Sequence, residues 1–252
     1  MRAAVREIRG RLQKLGNPED AVFLQRFFKT GPGEYGSGDR FRGIRVPVLR
    51  KLSREYKNIS LADAAELLRS RFHEDRLLAL FLLVRLYARA EENGRAAIYR
   101  LYLARTDCIN NWDLVDGSAE HIVGPFLDKG DRSPLYRLAR SSNLWERRIA
   151  ILATFHYIRR HDFTDTLKIA RTLLDDKEVL IWRATGWMLR EVGKRDLEAE
   201  EAFLRAHSKK MPRVMLRYAI ERFPETSRLR YLKGGSLSVK NQPKQQVERE
   251  PA

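Results

Sequence analysis

Cysteine and long apolar runs are both scarce in this chain of 252 residues. The single cysteine, Cys108, excludes an internal disulfide and is typical of a reducing compartment. No apolar run approaches the ~18 residues that a membrane-spanning helix needs, and the start Met1-Arg-Ala-Ala-Val-Arg-Glu7 lacks the apolar core of a signal peptide. We therefore expect a soluble, cytoplasmic protein with no membrane partner.

Acidic residues are few relative to basic ones. The chain has 33 Asp and Glu against 49 Lys and Arg, which gives a net charge of +16 and a pI near 10.2. This excess favours the phosphate backbone of a nucleic acid as partner. Because ribosomal factors and anionic-membrane binders are equally basic, a merely solvated basic surface stays open as an alternative.

Metal-binding and nucleophilic motifs are missing. The histidines form no HExxH pattern and no Cys-His pairing, so we expect neither a metal nor a cofactor. Ser118 and Ser133 lie in no nucleophile elbow, and nothing around Cys108 marks a thiolate. Carboxylates remain as the candidate catalytic groups. The histidines are His73, His121, His156, His161 and His207.

Strand-like alternation is nearly absent, whereas apolar residues recur at spacings of three and four. This pattern predicts an all-α protein, with helices near 74–90 and 144–160 and helix starts at Asn17-Pro18 and Ser60. About a dozen helices are expected.

Charged or tryptophan-bearing helix starts recur at Asp75, Trp112, Trp145 and Trp182, at intervals of 37 (75 to 112), 33 (112 to 145) and 37 (145 to 182) residues. Such periods predict helical hairpins stacked into a curved, HEAT-like helical-repeat solenoid with a basic concave face. A compact helical bundle is the alternative. We expect residues 1–231 to form this single domain, most simply a monomer, and residues 232–252 to be a disordered basic and polar tail.

The glycine-rich segment Thr30-Gly-Pro-Gly-Glu-Tyr-Gly-Ser-Gly-Asp39 contains a GxGxxG match. A phosphate-binding fingerprint needs a strand before it and a helix opening within it, whereas a helical segment precedes this one and Pro32 interrupts it. A nucleotide site is therefore rejected. The segment is either a flexible connection or a loop whose amides, with Arg40, Arg42 and Arg45, touch phosphate.

Asp116 is the candidate catalytic carboxylate. On a helix it shares a face with Trp112, four residues earlier, whereas Asp113 points about a quarter-turn away. An aspartate beside tryptophan on a face that meets phosphate would repel that phosphate, so its presence needs an explanation. One is structural, an ion pair with an arginine such as Arg148. The other is chemical, because a fixed carboxylate stabilises the positive charge that develops on deoxyribose when an N-glycosidic bond breaks.

A single carboxylate suffices only when the leaving base needs no acid. Ordinary glycosidases use two carboxylates because the leaving oxygen must be protonated. A purine alkylated at N3 or N7 already carries a positive charge and departs neutral. The sequence therefore predicts selectivity for cationic lesions.

Tryptophans and arginines accompany this carboxylate. Each indole could simply be a packing residue, but an aromatic face can also stack on a sugar or base, as we expect for Trp112 and Trp187. Four arginines are predicted to bind phosphate. They are Arg147, Arg148, Arg183 and Arg190. For Arg147 and Arg190, the alternative is that they are simply solvated surface residues.

Several ordered motifs resemble the AlkD family of bacterial DNA alkylation repair glycosylases, from about Asn17 to Phe223. The likeness lies in four segments: Asn111-Trp-Asp-Leu-Val-Asp116, Asn143-Leu-Trp-Glu-Arg-Arg148-Ile-Ala-Ile-Leu152, Ala184-Thr-Gly-Trp187-Met-Leu-Arg-Glu191, and the early loop Phe27-Phe-Lys29-Thr-Gly-Pro-Gly-Glu-Tyr-Gly36 followed by Phe41-Arg-Gly-Ile-Arg-Val-Pro47.

The resemblance implies hydrolytic removal of N3- and N7-alkylated purines from double-stranded DNA, which leaves an abasic site for base excision repair. It implies that the lesion stays in the duplex, that Asp116 is catalytic, that Trp112 and Trp187 wall the lesion's deoxyribose, and that Arg148 clamps a phosphate. It implies no cofactor and no obligate protein partner.

One departure concerns the early loop. Phe27 stands where the family carries a tyrosine, so a hydroxyl contact is lost although an aromatic wall can remain. We expect Phe27 and Lys29 to contact DNA. Two other function classes stay open. A non-catalytic HEAT-like scaffold that binds DNA or RNA would keep the arginines and tolerate loss of Asp116, whereas a protein-binding solenoid would not need the basic concave face.

Overall fold

The computed structural model describes residues 2–233, which are helical apart from turns, loops and one isolated bridge between Arg40 and Phe72. Of the tail predicted from residue 232, the structure describes Leu232, which ends the last helix, and Lys233, which caps it; the remainder lies outside the described residues. In order, the helices are α1 (Ala3–Leu15), α2 (Pro18–Gln25), α3 (Val46–Glu55), α4 (Leu61–Leu68), α5 (His73–Arg89), α6 (Glu92–Leu103), α7 (Trp112–Asp116), α8 (Ala119–Leu127), α9 (Ser133–Leu138), α10 (Leu144–Ala153), α11 (Phe155–Ile158), α12 (Thr164–Thr172), α13 (Val179–Gly193), α14 (Leu197–His207), α15 (Arg213–Ala219) and α16 (Glu225–Leu232).

Capping side chains set several of these helix starts. Asn17 accepts hydrogen bonds from the amides of Glu19 and Asp20, and Ser60 accepts one from Asp63, which confirms both predicted starts. The helix predicted near 74–90 is confirmed as α5. The prediction of one continuous helix near 144–160 is wrong, because Thr154 interrupts it and divides it into α10 and α11.

The helices pack mainly on helices close to them in the chain. One row runs from α3 through α5, α7, α10 and α13 to α15, and α1, α4, α6, α9, α12 and α14 pack beside it. Each helix of the row therefore has neighbours on both sides, and α5 buries residues around most of its circumference. This order confirms the all-α helical-repeat solenoid; its HEAT-like type and basic concave face remain predictions. Within residues 2–233 no helix combines the length and apolarity needed to cross a membrane.

The segment after the glycine-rich loop is fixed to the start of α5. The Glu74 carboxylate accepts hydrogen bonds from the backbone amides of Arg42, Gly43 and Ile44 at 2.9, 2.8 and 3.2 Å. Asp75 takes the Arg42 guanidinium at 2.6 and 3.1 Å. Because these carboxylates are buried and paired, the segment cannot leave α5 without exposing unpaired charge.

Gly43 shows how closely this segment packs against the backbone at Asn17. It has a φ of +76°, and an added Cβ would stand 2.0 Å from the Asn17 carbonyl oxygen. Gly33 has a φ of +77° but open space around its Cα. We expect Gly33→Ala to lower the free energy of unfolding by about 1–2 kcal/mol, the cost of left-handed backbone. Gly43→Ala should lose about 1–3 kcal/mol more through overpacking. Urea unfolding of both variants gives the comparison, and equal losses would contradict the close approach.

Candidate active site

Asp116 and Arg148 form a two-point ion pair between α7 and α10. Arg148 Nε donates to Asp116 Oδ1 and Nη2 to Oδ2, each at 2.8 Å, while Nη1 donates to the Leu180 carbonyl oxygen of α13 at 2.6 Å. The Asp116 side chain is 19% exposed and that of Arg148 only 6%. The carboxylate is therefore the outer member of the pair, and its position is fixed from three helices.

The surroundings of Asp116 act on its protonation in opposite directions. Burial raises the pKa of Asp116 above its ordinary value, whereas the charge and hydrogen bonds of Arg148 lower it. The nearby Asp113 carboxylate raises the pKa further. The net effect is a raised pKa, so the two-point guanidinium pair offsets only part of the cost of burying the ionised form, which is the form that can stabilise a developing cation.

The start of α7 explains why asparagine and tryptophan precede the aspartates. The fully buried Asn111 side chain accepts the Trp112 amide at 2.8 Å and so caps a helix of five residues. This places the Trp112 indole, half-buried, on the outside of the turn that carries Asp116. Phe28 stacks on Trp112 with ring centroids 5.4 Å apart. An aromatic surface therefore adjoins the helix that ends in the carboxylate.

The glycine-rich loop forms part of this surface. Tyr35 packs edge-on against Trp145 of α10 at 5.5 Å. The Gly36 amide donates to the Lys29 carbonyl oxygen at 2.7 Å, which closes the loop on itself. The loop therefore lies against the N-terminal ends of α7 and α10, and its flexibility stays a prediction.

His73 occupies the centre of a buried network that the sequence reasoning missed. Its Nε2 lies 2.7 Å from Asp113 Oδ2, and its Nδ1 lies 3.5 Å from Asp39 Oδ2. Asp39 also pairs with Arg76 at 2.8 Å. The imidazole packs against the rings of Phe28 and Phe41, which also stack on each other. This histidine thus connects the loop, α5 and α7, although nothing in its local sequence marks it.

The carboxylates determine the charge of His73. Burial by itself would lower the pKa of His73, but the charge and hydrogen bond of Asp113, together with Asp39, raise it from 6.5 to about 9. His73 is therefore protonated at neutral pH and neutralises part of the acidic network. Asp113 pairs with this histidine, whereas Asp116 pairs with Arg148; the two side chains are similarly shielded, at 15% and 19% exposed.

Trp187 lies farther along the same row of helices. It is seven residues after Leu180 in α13, so it projects from nearly the same face about 10 Å along the axis from the Arg148 contact. Its indole packs edge-on against Phe155 at 6.1 Å and donates from Nε1 to Glu191 at 3.3 Å. Trp187 is half-buried, so part of its ring is open to a ligand.

The predicted phosphate-binding arginines differ in availability. Arg147 is bound by Asp176 at 2.6 and 3.3 Å and by the carbonyl oxygens of Ser141 and Ser142. Arg190 pairs with Glu221. Arg147 therefore has little capacity left for phosphate, whereas the buried Nε of Arg190 has no hydrogen-bond partner among the described residues.

Two other predicted DNA contacts are free. Arg183 and Lys29 are exposed, and inside residues 2–233 neither side chain has a hydrogen-bond or ion-pair partner. Both can therefore reach a phosphate without breaking an existing pair.

Phe27 and Phe28 have different surroundings. Phe27 follows the end of α2, is 59% exposed and touches Phe23 edge-on at 5.4 Å. Phe28, its neighbour, is the ring that stacks on Trp112. The aromatic partner of Trp112 is thus Phe28, a distinction that two adjacent phenylalanines in a sequence cannot reveal.

The arginines beyond the loop are mostly paired. Arg42 binds Asp75 and Gln13, and Arg45 binds Asp20 at 2.9 Å while remaining largely exposed. Arg40 is exposed. Of the three, Arg42 is therefore unavailable to a phosphate.

The arrangement offers one outward carboxylate next to aromatic rings and exposed cations. Across residues 2–233 no three His, Cys, Asp or Glu side chains are grouped so that they could hold a metal ion. The chemistry that these side chains can supply themselves is electrostatic stabilisation of a cation and orientation of a water molecule.

The charge of His73 makes a testable contribution to stability. Because its pKa is about 9 in the folded protein and 6.5 in the unfolded chain, the stabilisation is complete below pH 6.5 and is lost as the pH rises through 9. A shift of this size corresponds to a contribution on the order of 3 kcal/mol. Urea unfolding between pH 6 and pH 10 should show a steeper loss of stability for the wild type than for His73→Gln. The exposed His161→Asn should follow the wild type, and parallel curves for all three proteins would contradict the assignment.

Comparison with known proteins agrees with the fold. A solved structure described as a predicted DNA alkylation repair enzyme from Enterococcus faecalis is 17% identical, with a TM-score of 0.64, and the match covers 83% of this chain and 97% of that one. At this identity the likeness shows the shared fold. Comparison with curated proteins gives no match. The family model for DNA alkylation repair enzymes matches residues 8–223, which is most of the chain, and the protein therefore belongs to the DNA alkylation repair enzyme family.

Proposed function

We propose that the protein is a monofunctional DNA glycosylase that hydrolyses the N-glycosidic bond of cationic N3- and N7-alkylated purines in double-stranded DNA. The product is an abasic site for base excision repair. Family membership supports a role in alkylation repair, with DNA as the substrate. The observation that carries the finer proposal is the outward-facing Asp116 carboxylate, which Arg148 holds at two points next to Trp112.

The reaction needs no general acid. When the bond between C1′ and the purine nitrogen breaks, the cationic base takes the electron pair and leaves as a neutral molecule. Positive charge develops on the deoxyribose, and the ionised Asp116 stabilises it. Water adds its oxygen to C1′ and gives up one proton, for which the Asp116 carboxylate is the acceptor. An unalkylated purine would leave as an anion, so this site gives it no comparable route.

Arg148 is better suited to positioning Asp116 than to clamping a phosphate. Three of its N–H groups are used by Asp116 and the Leu180 carbonyl, and its side chain is 6% exposed. Its role as a phosphate clamp stays a prediction with little support. Lys29 and Arg183, which are exposed and unpaired in the described chain, fit backbone contacts better.

The aromatic side chains would hold the sugar near Asp116. Trp112 and Phe28 form a stacked pair at the start of the helix that ends in Asp116, and Trp187 is half-buried on α13. The Asp116 side chain is 19% exposed, so in this proposal it approaches a deoxyribose from outside the duplex. We therefore keep the proposal that the lesion remains in the helix. The proposed reaction uses no cofactor. We also propose that the protein is a monomer associated with the nucleoid in the cytoplasm.

A purely structural ion pair is the competing interpretation, and it leads to the non-catalytic scaffold. Here the arginine is shielded and the carboxylate faces outward. This asymmetry favours a carboxylate that meets a ligand.

Asp116→Asn separates the two functions. The variant should reduce release of 7-methylguanine from methylated duplex DNA at least about 100-fold, because a neutral amide cannot stabilise the sugar cation. Binding of unmodified duplex should be retained. Asp107→Asn, which makes the same charge change at an exposed position shortly before α7, should release the base at the wild-type rate.

Two results would contradict the proposal. If wild-type protein binds methylated duplex yet releases no base, it is a scaffold. If Asp116→Asn releases base as fast as the wild type while both are shown to be folded by circular dichroism, Asp116 is not the catalytic group.

Trp187 and Trp182 offer a matched pair of indoles on α13. Both are half-buried, but Trp182 donates from Nε1 to the Asp176 carbonyl oxygen at 2.6 Å, whereas Trp187 lies on the face of Leu180. We expect Trp187→Leu to slow base release roughly tenfold, in line with the value of one stacked contact. Trp182→Leu should have little effect at a temperature where both variants are folded. A larger effect of Trp182→Leu would contradict the proposal that Trp187 contacts the lesion.

A further inference from the structure

A small basic cavity lies directly beside the end of α7. It has a volume of about 160 Å³ and is formed by α3, α5 and the turn into α8. Gly117, the residue after Asp116, is part of its wall, and consecutive Cα atoms are only about 3.8 Å apart. The lining residues are Arg50, Ser53, Arg54, Phe81, Val84, Arg85, Gly117 and His121.

The cavity concentrates positive charge that its own lining does not balance. Three arginines and a histidine contribute to the wall, and no acidic residue of the described chain is among the residues that line it. Arg50 lies over the Phe81 ring at 4.5 Å, which fixes its guanidinium without neutralising it. The buried Nε of Arg85 has no hydrogen-bond partner among the described residues. A buried donor of this kind is costly unless a ligand satisfies it.

One acidic residue outside the cavity, Glu120, lies beside His121. His121 Nε2 lies 3.2 Å from Glu120, but Glu120 also pairs with Arg159. Burial lowers the pKa of His121 below its ordinary value; Glu120 opposes this, while Arg159 and Arg50 add to it. Two arginines, Arg50 and Arg159, thus place positive charge near His121, and Glu120 places negative charge there.

We propose that this cavity is a subsite for a backbone phosphate of the duplex whose lesion lies at Asp116. The inference rests on the proposed function. Arginine presents a planar fork of N–H donors that matches two phosphate oxygens, and three such groups converge here from two helices. A phosphate held beside Gly117 fixes the strand next to the catalytic carboxylate. Unlike Arg147 and Arg148, these arginines do not need to leave a carboxylate partner.

Salt-dependent binding of a short unmodified DNA duplex tests the subsite. Arg85→Gln and Arg50→Gln should each weaken binding roughly tenfold at low salt and reduce the slope of log affinity against log salt by about one. Arg50 is exposed, so its variant keeps the assay informative even if Arg85→Gln folds poorly. Arg6→Gln, which removes an exposed arginine from α1, should change neither value by as much.

Inorganic phosphate distinguishes the source of the anion. The His121 ring resonances should shift on addition of the unmodified duplex, and they should shift less in Arg85→Gln. If the resonances respond to inorganic phosphate but not to duplex, and both arginine variants bind DNA with the wild-type salt slope, the cavity is a site for free phosphate and the proposal is overturned. Because this assay uses undamaged DNA and no turnover, it succeeds or fails independently of base release.

Discussion

The ion pair between Asp116 and Arg148 is the interaction on which the candidate site depends. The α7 helix has five residues, too few to be stable in isolation. Arg148 supplies the missing support, because it binds Asp116 from α10 and the Leu180 carbonyl of α13 at the same time. A carboxylate oriented in this way meets a substrate without reorganisation, which is the condition under which electrostatic stabilisation is most effective.

The other end of α7 is supported by a different network. His73 contacts Asp113 and Asp39, and so connects the short helix to α5 and to the glycine-rich loop. The two aspartates of the motif therefore have different partners: Asp113 pairs with a cationic histidine, and Asp116 pairs with an arginine. The basic cavity at Gly117 continues this arrangement, since it places unbalanced positive charge next to the outward carboxylate.

Much of the fold and the centre of the site could be predicted from local sequence. Helical periodicity, the caps at Asn17 and Ser60 and the repeat spacing depend on residues close in the chain, so they can be read without a structure. The preference for Asp116 over Asp113 followed from helix geometry alone, and pairing with Arg148 was one of the two interpretations considered. The break at Thr154 could not be predicted, because a continuous apolar pattern runs through it.

The sequence by itself determined the composition of the site, namely an aspartate, tryptophans and an excess of arginine on stacked helices. Only the tertiary structure decided which of these groups are available. It committed Arg147 to Asp176 and Arg190 to Glu221, brought Phe28 instead of Phe27 onto Trp112, and placed His73 between two carboxylates. The physical reason is that these partners are separated by tens of residues, so stacking of the repeats, and no local pattern, brings their charges and rings into contact.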